Sequence, residues 1–241
     1  MTDFRESAWA DNKFAQNYLE KADIYVVERR KMLWFVSSLF IYFIKERNVK
    51  LLDLGCGDGI VTEQLFKTES SISATLIDGS KSMLLKAKER LKAFPLVNFV
   101  RASFQEILGG SVELESYDFC ISSMAIHHLE MNEKESLFQL ISSHLKPGGH
   151  FVNIDIVRAP SEELEVWYFD IWKDWMGHMM NRFNIKDEMP EDVIKKYQDP
   201  SSMNKPDTLG SQLNALCAVG FTDVDCYFKN GLFVVFGGKK K

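Results

Sequence analysis

The segment LLDLGCGDG, residues 51–59, constrains this chain more than any other. An apolar run ends in Asp53-Leu54, breaks into Gly55, Gly57 and Gly59, and passes into a helical pattern from Ile60. Glycines here permit a tight turn and close approach of a ligand to the backbone, and Asp53 at the strand end can accept hydrogen bonds from an ammonium group. A strand, loop and helix in this order read as a cofactor loop, with a merely convenient turn as the bland alternative. The next motif weighs against that alternative: in SATLIDGSKSML, Asp78 closes the following apolar run about 20 residues beyond the loop, where a carboxylate can hold both hydroxyls of a ribose. Asp78 or Ser80 could instead cap the helix that follows.

The runs VKLLDLG, SISATLIDG, VNFVRAS, YDFCISS and HFVNIDIV alternate with helical patterns at 60–67, 80–93 and 133–145, the last stopped by Pro147-Gly148-Gly149. This rhythm predicts a parallel α/β sheet. Two helices, roughly 11–20 and 23–46, precede it. The apolar stretch 32–44 in the second is too short to span a bilayer, carries Ser37 and Ser38, and reads as buried. After Val157 comes a Trp- and Met-rich stretch unlike the βα rhythm, read as a helical insertion over about 162–207. A helix in TLGSQLNALCAVG and two alternating runs, TDVDCYFK and LFVVFGG, close the chain. The runs join at Asn230-Gly231, a type I′ hairpin signal that forces the last strand to run antiparallel.

Composition narrows the function. A chain of 241 residues, 46% hydrophobic and 26% charged, has the balance of a packed protein. With 29 Lys and Arg against 34 Asp and Glu, the net charge of −5 lacks the positive field that sequence-independent nucleic-acid binding needs. Cys56, Cys120, Cys217 and Cys226 are scattered without a CxxC pair, so no metal or redox site is expected. The segment MTDFRESAWADNKF shows no basic region followed by an apolar one, and a cytoplasmic location is the expectation.

On these motifs the sequence resembles the class I S-adenosylmethionine (SAM)-dependent methyltransferases, over 49–157 and again over 208–239. LDLGCGDG is similar to the family's first motif, IDGSKSML to its ribose-binding strand end, and YDFCISSMAIHHL and LKPGGHFVNID to its fourth and fifth strand motifs. The resemblance implies a Rossmann-like α/β fold: a seven-stranded, mostly parallel sheet with an antiparallel last strand, plus a helical lid. It divides the chain into a helical cover over 1–47, a SAM-binding core over 48–158, a lid insertion over 159–207, and a C-terminal helix and hairpin over 208–241. It implies that Asp53, Gly55, Cys56 and Gly57 hold the methionine moiety of SAM, Asp78 the ribose, Gly79 and Met83 the adenine edge, and Ser103 with Phe104 the adenine ring. Ser122 and Ser123 would flank the sulfonium. The family usually has Asp at the position of Ser103, whose hydroxyl is a weaker acceptor than a carboxylate. The rival, a nicotinamide enzyme, wants G-x-G-x-x-G, and Ile60 stands where its third glycine belongs.

Other residues are candidates by position. His127 and His128 lie just beyond the sulfonium site, where either imidazole could take a proton from an acceptor or simply pack at a helix start. Asp155 ends the fifth strand, where it could orient an acceptor or cap the insertion. Arg29 or Arg30 could reach the SAM carboxylate. Trp167, Tyr168, Trp172 and Trp175 with Met176, Met179 and Met180 suit core packing, and also a lid over an apolar pocket, with Trp167 and Tyr168 expected to shape it. Such a lid suits a small-molecule acceptor; a homodimer is compatible, and neither nucleic acid nor membrane is an expected partner. A tRNA- or protein-directed methyltransferase and a non-catalytic SAM-binding regulator are the alternatives. The opening helix and MNKPDTLGSQL are also loosely similar to the tRNA-wobble carboxy-SAM synthases, but the glycine-loop sequence differs from theirs, so that activity is not carried over.

Overall fold

A computed structural model describes residues 9, 11–44, 48–68 and 71–241. Two helices open the chain, α1 (Asn12–Tyr25) and α2 (Arg29–Phe43). The break falls after Tyr25, not at 21–22 as the apolar spacing predicts. The β-branched pair Val26-Val27 disfavours helix, Val26 is extended, and Glu28 turns the chain with φ 53°. The predicted end of α2 at Glu46 lies outside the described residues. Its burial is also one-sided: Met32, Val36 and Phe40 face the core, whereas Trp34 and Tyr42 are 60% and 68% exposed.

The strands are β1 (Lys50–Leu54), β2 (Ser73–Asp78), β3 (Val97–Arg101), β4 (Tyr117–Ser123), β5 (Leu145–Ile156), β6 (Phe221–Asn230) and β7 (Phe233–Lys240). They form one sheet in the order β3-β2-β1-β4-β5-β7-β6. β1 to β5 pair in parallel, while β7 inserts antiparallel between β5 and β6. The chain winds outward from β1 to β3 and then returns to β4, so the crevice between the carboxyl ends of β1 and β4 is the switch point where such sheets bind ligands.

Both faces of the sheet are covered, so its strands alternate between two apolar clusters rather than between core and water. Leu51, Phe119, Ile121, Val152 and Val235 face α2, α3 (Ile60–Phe66) and α4 (Lys81–Arg90). Leu52, Cys120, Phe151 and Phe236 face α6 (Met131–His144) and α9 (Leu209–Ala218), with the short α5 (Phe104–Leu108) at the edge. Helix α6 stops at His144, ahead of Pro147. Leu145 already pairs with Tyr117, and residues 146–149 loop out before His150 pairs with Phe119. In the final hairpin Asn230 still pairs with Phe233, so the loop is Gly231-Leu232 and only Gly231 takes positive φ, at 56°. That pattern fits a turn with glycine at its first central position rather than the type I′ turn predicted for Asn230-Gly231.

The insertion holds α7 (Glu162–Phe183) and α8 (Pro190–Gln198). Ser161 caps α7, and Glu162, Glu163 and Glu165 in its first turn complement the helix dipole. The carbonyls ending α1 would lack partners, and α7 supplies them: the indole N–H of Trp172 donates to Tyr25 O (2.7 Å) and that of Trp175 to Ile24 O (3.1 Å). Helix α1 and the insertion thereby pack as one lobe above the crevice. No helix among the described residues is long and apolar enough to cross a membrane.

Candidate functional site

The glycine loop is held from three sides. Gly55 N donates to Ile77 O (2.8 Å) and Gly57 N to Asp78 Oδ2 (2.8 Å), while Asp78 Oδ1 accepts from Ser80 N (2.7 Å). Arg90 donates from Nε to Asp58 O (2.9 Å), and its guanidinium also pairs with the Asp58 and Glu63 carboxylates. A Cβ on Gly55, which has φ 65°, would lie 2.4 Å from the Ala125 Cβ, so only glycine lets the loop pass this close to β4's end. Around Gly57 the space is open.

A cavity lies against this loop, and most of the residues expected to bind SAM line it. Arg29, Gly55, Cys56, Gly57, Asp78, Gly79 and Met83 do so on one side, and Ser103, Phe104 and Ser123 on the other. Arg29 is paired with Asp23 (2.9 Å), whereas the Arg30 side chain is 84% exposed and outside the lining. The Ser103 hydroxyl is engaged in a capping box: it accepts from Glu106 N (3.2 Å) and donates to the Glu106 carboxylate (3.0 Å). Burial raises the Asp78 pKa, and burial likewise pushes up the Cys56 thiol.

Two expected contacts fall behind the wall. Ser122 is fully buried and donates to Leu54 O (2.7 Å), because neighbouring residues on a strand point to opposite faces and Ser123 takes the cavity side. Asp53 is also outside the lining; Thr62 Oγ1 donates to its Oδ2 (2.6 Å), and its Oδ1 is buried without a partner among the described residues. Burial, reinforced by the Asp78 and Asp58 charges and opposed by the Thr62 hydrogen bond, pushes Asp53 up to about 7.

A second cavity, of about 440 Å³, opens under the lobe. Tyr18 and Tyr25 of α1, Trp172 of α7, Val193 and Tyr197 of α8 and Phe233 of β7 wall it, with His127 at its floor. The expectation for Trp167 and Tyr168 is corrected. Trp167 is 55% exposed and Tyr168 packs over Gly231, because the buried stripe of α7 runs through Phe169, Trp172, Met176 and Met180 at helical spacing. Four of the described residues line both cavities: Trp9, Tyr18, Met124 and His128. Met124 sits at the end of β4 with φ 52°, a conformation that non-glycine residues adopt sparingly and that favours functional positions.

The two histidines differ. His127 Nδ1 is 2.5 Å from Asp155 Oδ1, and Asp155 is itself held by Asn153 Nδ2 (3.2 Å) and Ile156 N (3.0 Å). A carboxylate only accepts, so the His127 proton sits on Nδ1 and Nε2 keeps its lone pair. His128 Nε2 accepts from the Trp9 indole N–H (2.8 Å), and its Nδ1 lies 3.4 Å from Met203 O. Burial, with His127 beside it, holds the His128 pKa well below the usual histidine value. The segment after α8 is strapped to this loop. Lys205 N donates to His127 O (2.7 Å), and the fully buried Lys134 donates to Leu129 O (2.7 Å), Lys205 O (2.6 Å) and the Asp207 carboxylate (2.5 Å). Trp9, Tyr18, Met124 and Lys134 carry no local sequence signal; only the long-range packing brings them here.

A family profile described as a methyltransferase domain matches residues 51–149. The chain is 24% identical over 192 residues to a carboxy-S-adenosyl-L-methionine synthase of Nautilia profundicola, covering 78% of this chain and 75% of that protein. It is 25% identical over 197 residues to the protein of the same name in Campylobacter concisus, covering 80% and 78%. In fold it is similar to an O-methyltransferase family protein from Burkholderia thailandensis, with a TM-score of 0.67 at 15% identity over 98% of this chain; it spans 63% of that neighbour's length. The matched domain carries the glycine loop, Asp78 and the β4 end. Residues 51–149 thus carry a methyltransferase domain, and the chain is similar in sequence to SAM-processing enzymes and in fold to an O-methyltransferase family protein.

Proposed function

We propose that the protein methylates a small-molecule acceptor held in the cavity beneath the lobe. The observation that carries this reading is the meeting of the two cavities at Trp9, Tyr18, Met124 and His128. The residues on the loop side fit SAM: Asp78 lines the cavity with its carboxylate oriented by Gly57 N and Ser80 N and a lone pair left on each oxygen for a ribose hydroxyl, the open space at Gly57 admits a ligand to the backbone, and Arg29 can exchange Asp23 for the SAM carboxylate. When bound, SAM supplies an electrophilic methyl group. Asp53 acts from behind the loop, where its partnerless oxygen favours a nearby cation.

On the acceptor side His127 has the geometry of a base. Asp155 fixes the tautomer that leaves Nε2 free to take a proton from an acceptor hydroxyl, thiol or amine, and it stabilises the imidazolium that results. The aromatic walls exclude water and orient the acceptor, and positioning supplies most of the rate. The same reading puts the protein in the cytoplasm, which suits its free cysteines, and accommodates a homodimer.

The test is incubation with methyl-labelled SAM and a fractionated cell extract, read by mass spectrometry. Label in a small molecule, matched by S-adenosylhomocysteine (SAH), is the expected result. His127→Gln should lower transfer by roughly 10²–10⁴-fold with SAH affinity retained. Label in RNA or protein instead would overturn the acceptor class. The names of the curated relatives favour a second reading, formation of carboxy-SAM. The same spectra separate the two: a carboxylated sulfonium nucleoside in place of SAH would establish the second and exclude the first.

A further inference from the structure

Of the four residues at the junction, Trp9 alone hydrogen-bonds to one of the paired histidines from outside their own segment and from the amino-terminal side. Its indole makes edge contacts with Tyr18 (centroids 4.9 Å apart), Phe14 (5.2 Å) and His128 (6.1 Å), so the ring is seated rather than loosely placed. An indole N–H can only donate, and a backbone carbonyl can only accept. The Trp9 bond therefore requires a lone pair on His128 Nε2, and the Met203 carbonyl requires the proton on Nδ1. Both partners demand the same tautomer.

We infer that Trp9 is a positioning residue for methyl transfer: its indole N–H fixes the tautomer of His128 and ties the amino-terminal segment, through that ring, to the lobe segment at Met203. This rests on the reading of the two cavities as cofactor and acceptor sides. The consequence is a division of labour between adjacent histidines. Both His128 nitrogens are engaged, so it has no nitrogen left for an acceptor proton, whereas His127 keeps Nε2. The rings lie 4.1 Å apart, so a proton on His128 would oppose the charge that His127 must gain. Lys134 and Lys205, the other charged groups facing His128, act in the same direction. Removing the indole donor frees His128 Nε2 and lets it compete with His127 for the proton.

The experiment uses the full chain labelled with ¹⁵N-histidine, with His128 assigned by the signal lost in His128→Asn. Two-bond ¹H–¹⁵N spectra of the wild type should show His128 protonated at Nδ1 only, and Trp9→Phe should populate the Nε2–H form. In the same variant kcat for labelled-methyl transfer into the small-molecule fraction should fall about tenfold, with the dissociation constant for SAH within about threefold of wild type. A role confined to packing would leave the tautomer unmoved. Should Trp9→Phe fail to fold, the wild type still decides the matter: a Trp9 indole N–H that exchanges freely with water, or His128 protonated at Nε2, overturns the inference. Absence of SAH binding to wild type would sink the cofactor reading itself, whereas unchanged His128 spectra in a Trp9→Phe protein that binds SAH would sink Trp9 alone.

Discussion

The two cavities that meet at Met124 and His128 are built in opposite ways. The cofactor side draws mainly on Gly55–Gly57, Asp78–Met83 and Ala102–Phe104, each a strand end running into its own loop or helix. The second cavity, proposed above to hold the acceptor, takes Tyr18, His127, Trp172, Tyr197 and Phe233 from elements spread along nearly the whole chain. The first rests chiefly on the sheet's strand ends, with Tyr18 and Arg29 added from the opening helices; the second exists only when α1, α7 and α8 close over the sheet. Burial raises the Asp53 pKa behind the glycine loop and lowers that of His128 at the junction of the cavities, so burial drives both groups toward neutrality.

This contrast can be broken by substitution, and the largest effect is expected at the lobe. Trp172→Ala removes a buried ring and its bond to Tyr25 O, and should lower unfolding free energy by about 3–5 kcal/mol in urea titrations. Protein that remains folded should bind SAH within about threefold of wild type, since Trp172 lines only the acceptor cavity; a selective loss of SAH would show that the two sides are not separable. Gly55→Ala reverses the pattern. The left-handed backbone and the approach to Ala125 together should cost about 2–5 kcal/mol, with SAH affinity lost beyond the change in stability.

Asp78→Ala should weaken SAH binding by about 1.5–3 kcal/mol in calorimetry, the worth of hydrogen bonds to a charged group; an unchanged dissociation constant removes it from the site. At the small end, Trp167→Ala should leave both stability and transfer within about 0.5 kcal/mol, because its ring is largely in water.

The pH dependence of stability carries opposite signs at Asp53 and His128. Asp53 in the fold holds its proton up to about pH 7 against 3.8 when unfolded, so across that window the native state binds more protons and stability falls as pH rises. Asp53→Asn keeps a partner for Thr62 and should gain on wild type from pH 4 to 7, levelling above that. His128, held neutral, contributes stability that is lost as pH falls below 6.5, and His128→Asn should show the shallower acid limb. Thermal unfolding of both variants across this range checks the two slopes together.

Adjacent pairs show where sequence reading stops. The motif ISSM identifies a strand end at the switch point, yet Ser123 reaches the cavity and Ser122 bonds to Leu54 O; the register of β4 on β1 decides which. HH marks a polar pair beyond that strand, but Asp155 from β5 and Trp9 from the amino-terminal segment assign the two rings different hydrogen bonds. The insertion reads as helical and aromatic from composition, while the choice of Trp172 over Trp167 follows from the face α7 turns toward α1.

The sequence by itself determined the βα rhythm, the glycine loop, Asp78 and the antiparallel hairpin, because each depends on contacts between residues near one another or on a backbone conformation that few residue types allow. Tertiary structure alone decided the cavity under the lobe, the different hydrogen bonds of His127 and His128, and the burial of Asp53 behind its loop. Those depend on which distant groups share a desolvated space, and no local pattern carries the free energy that brings them together.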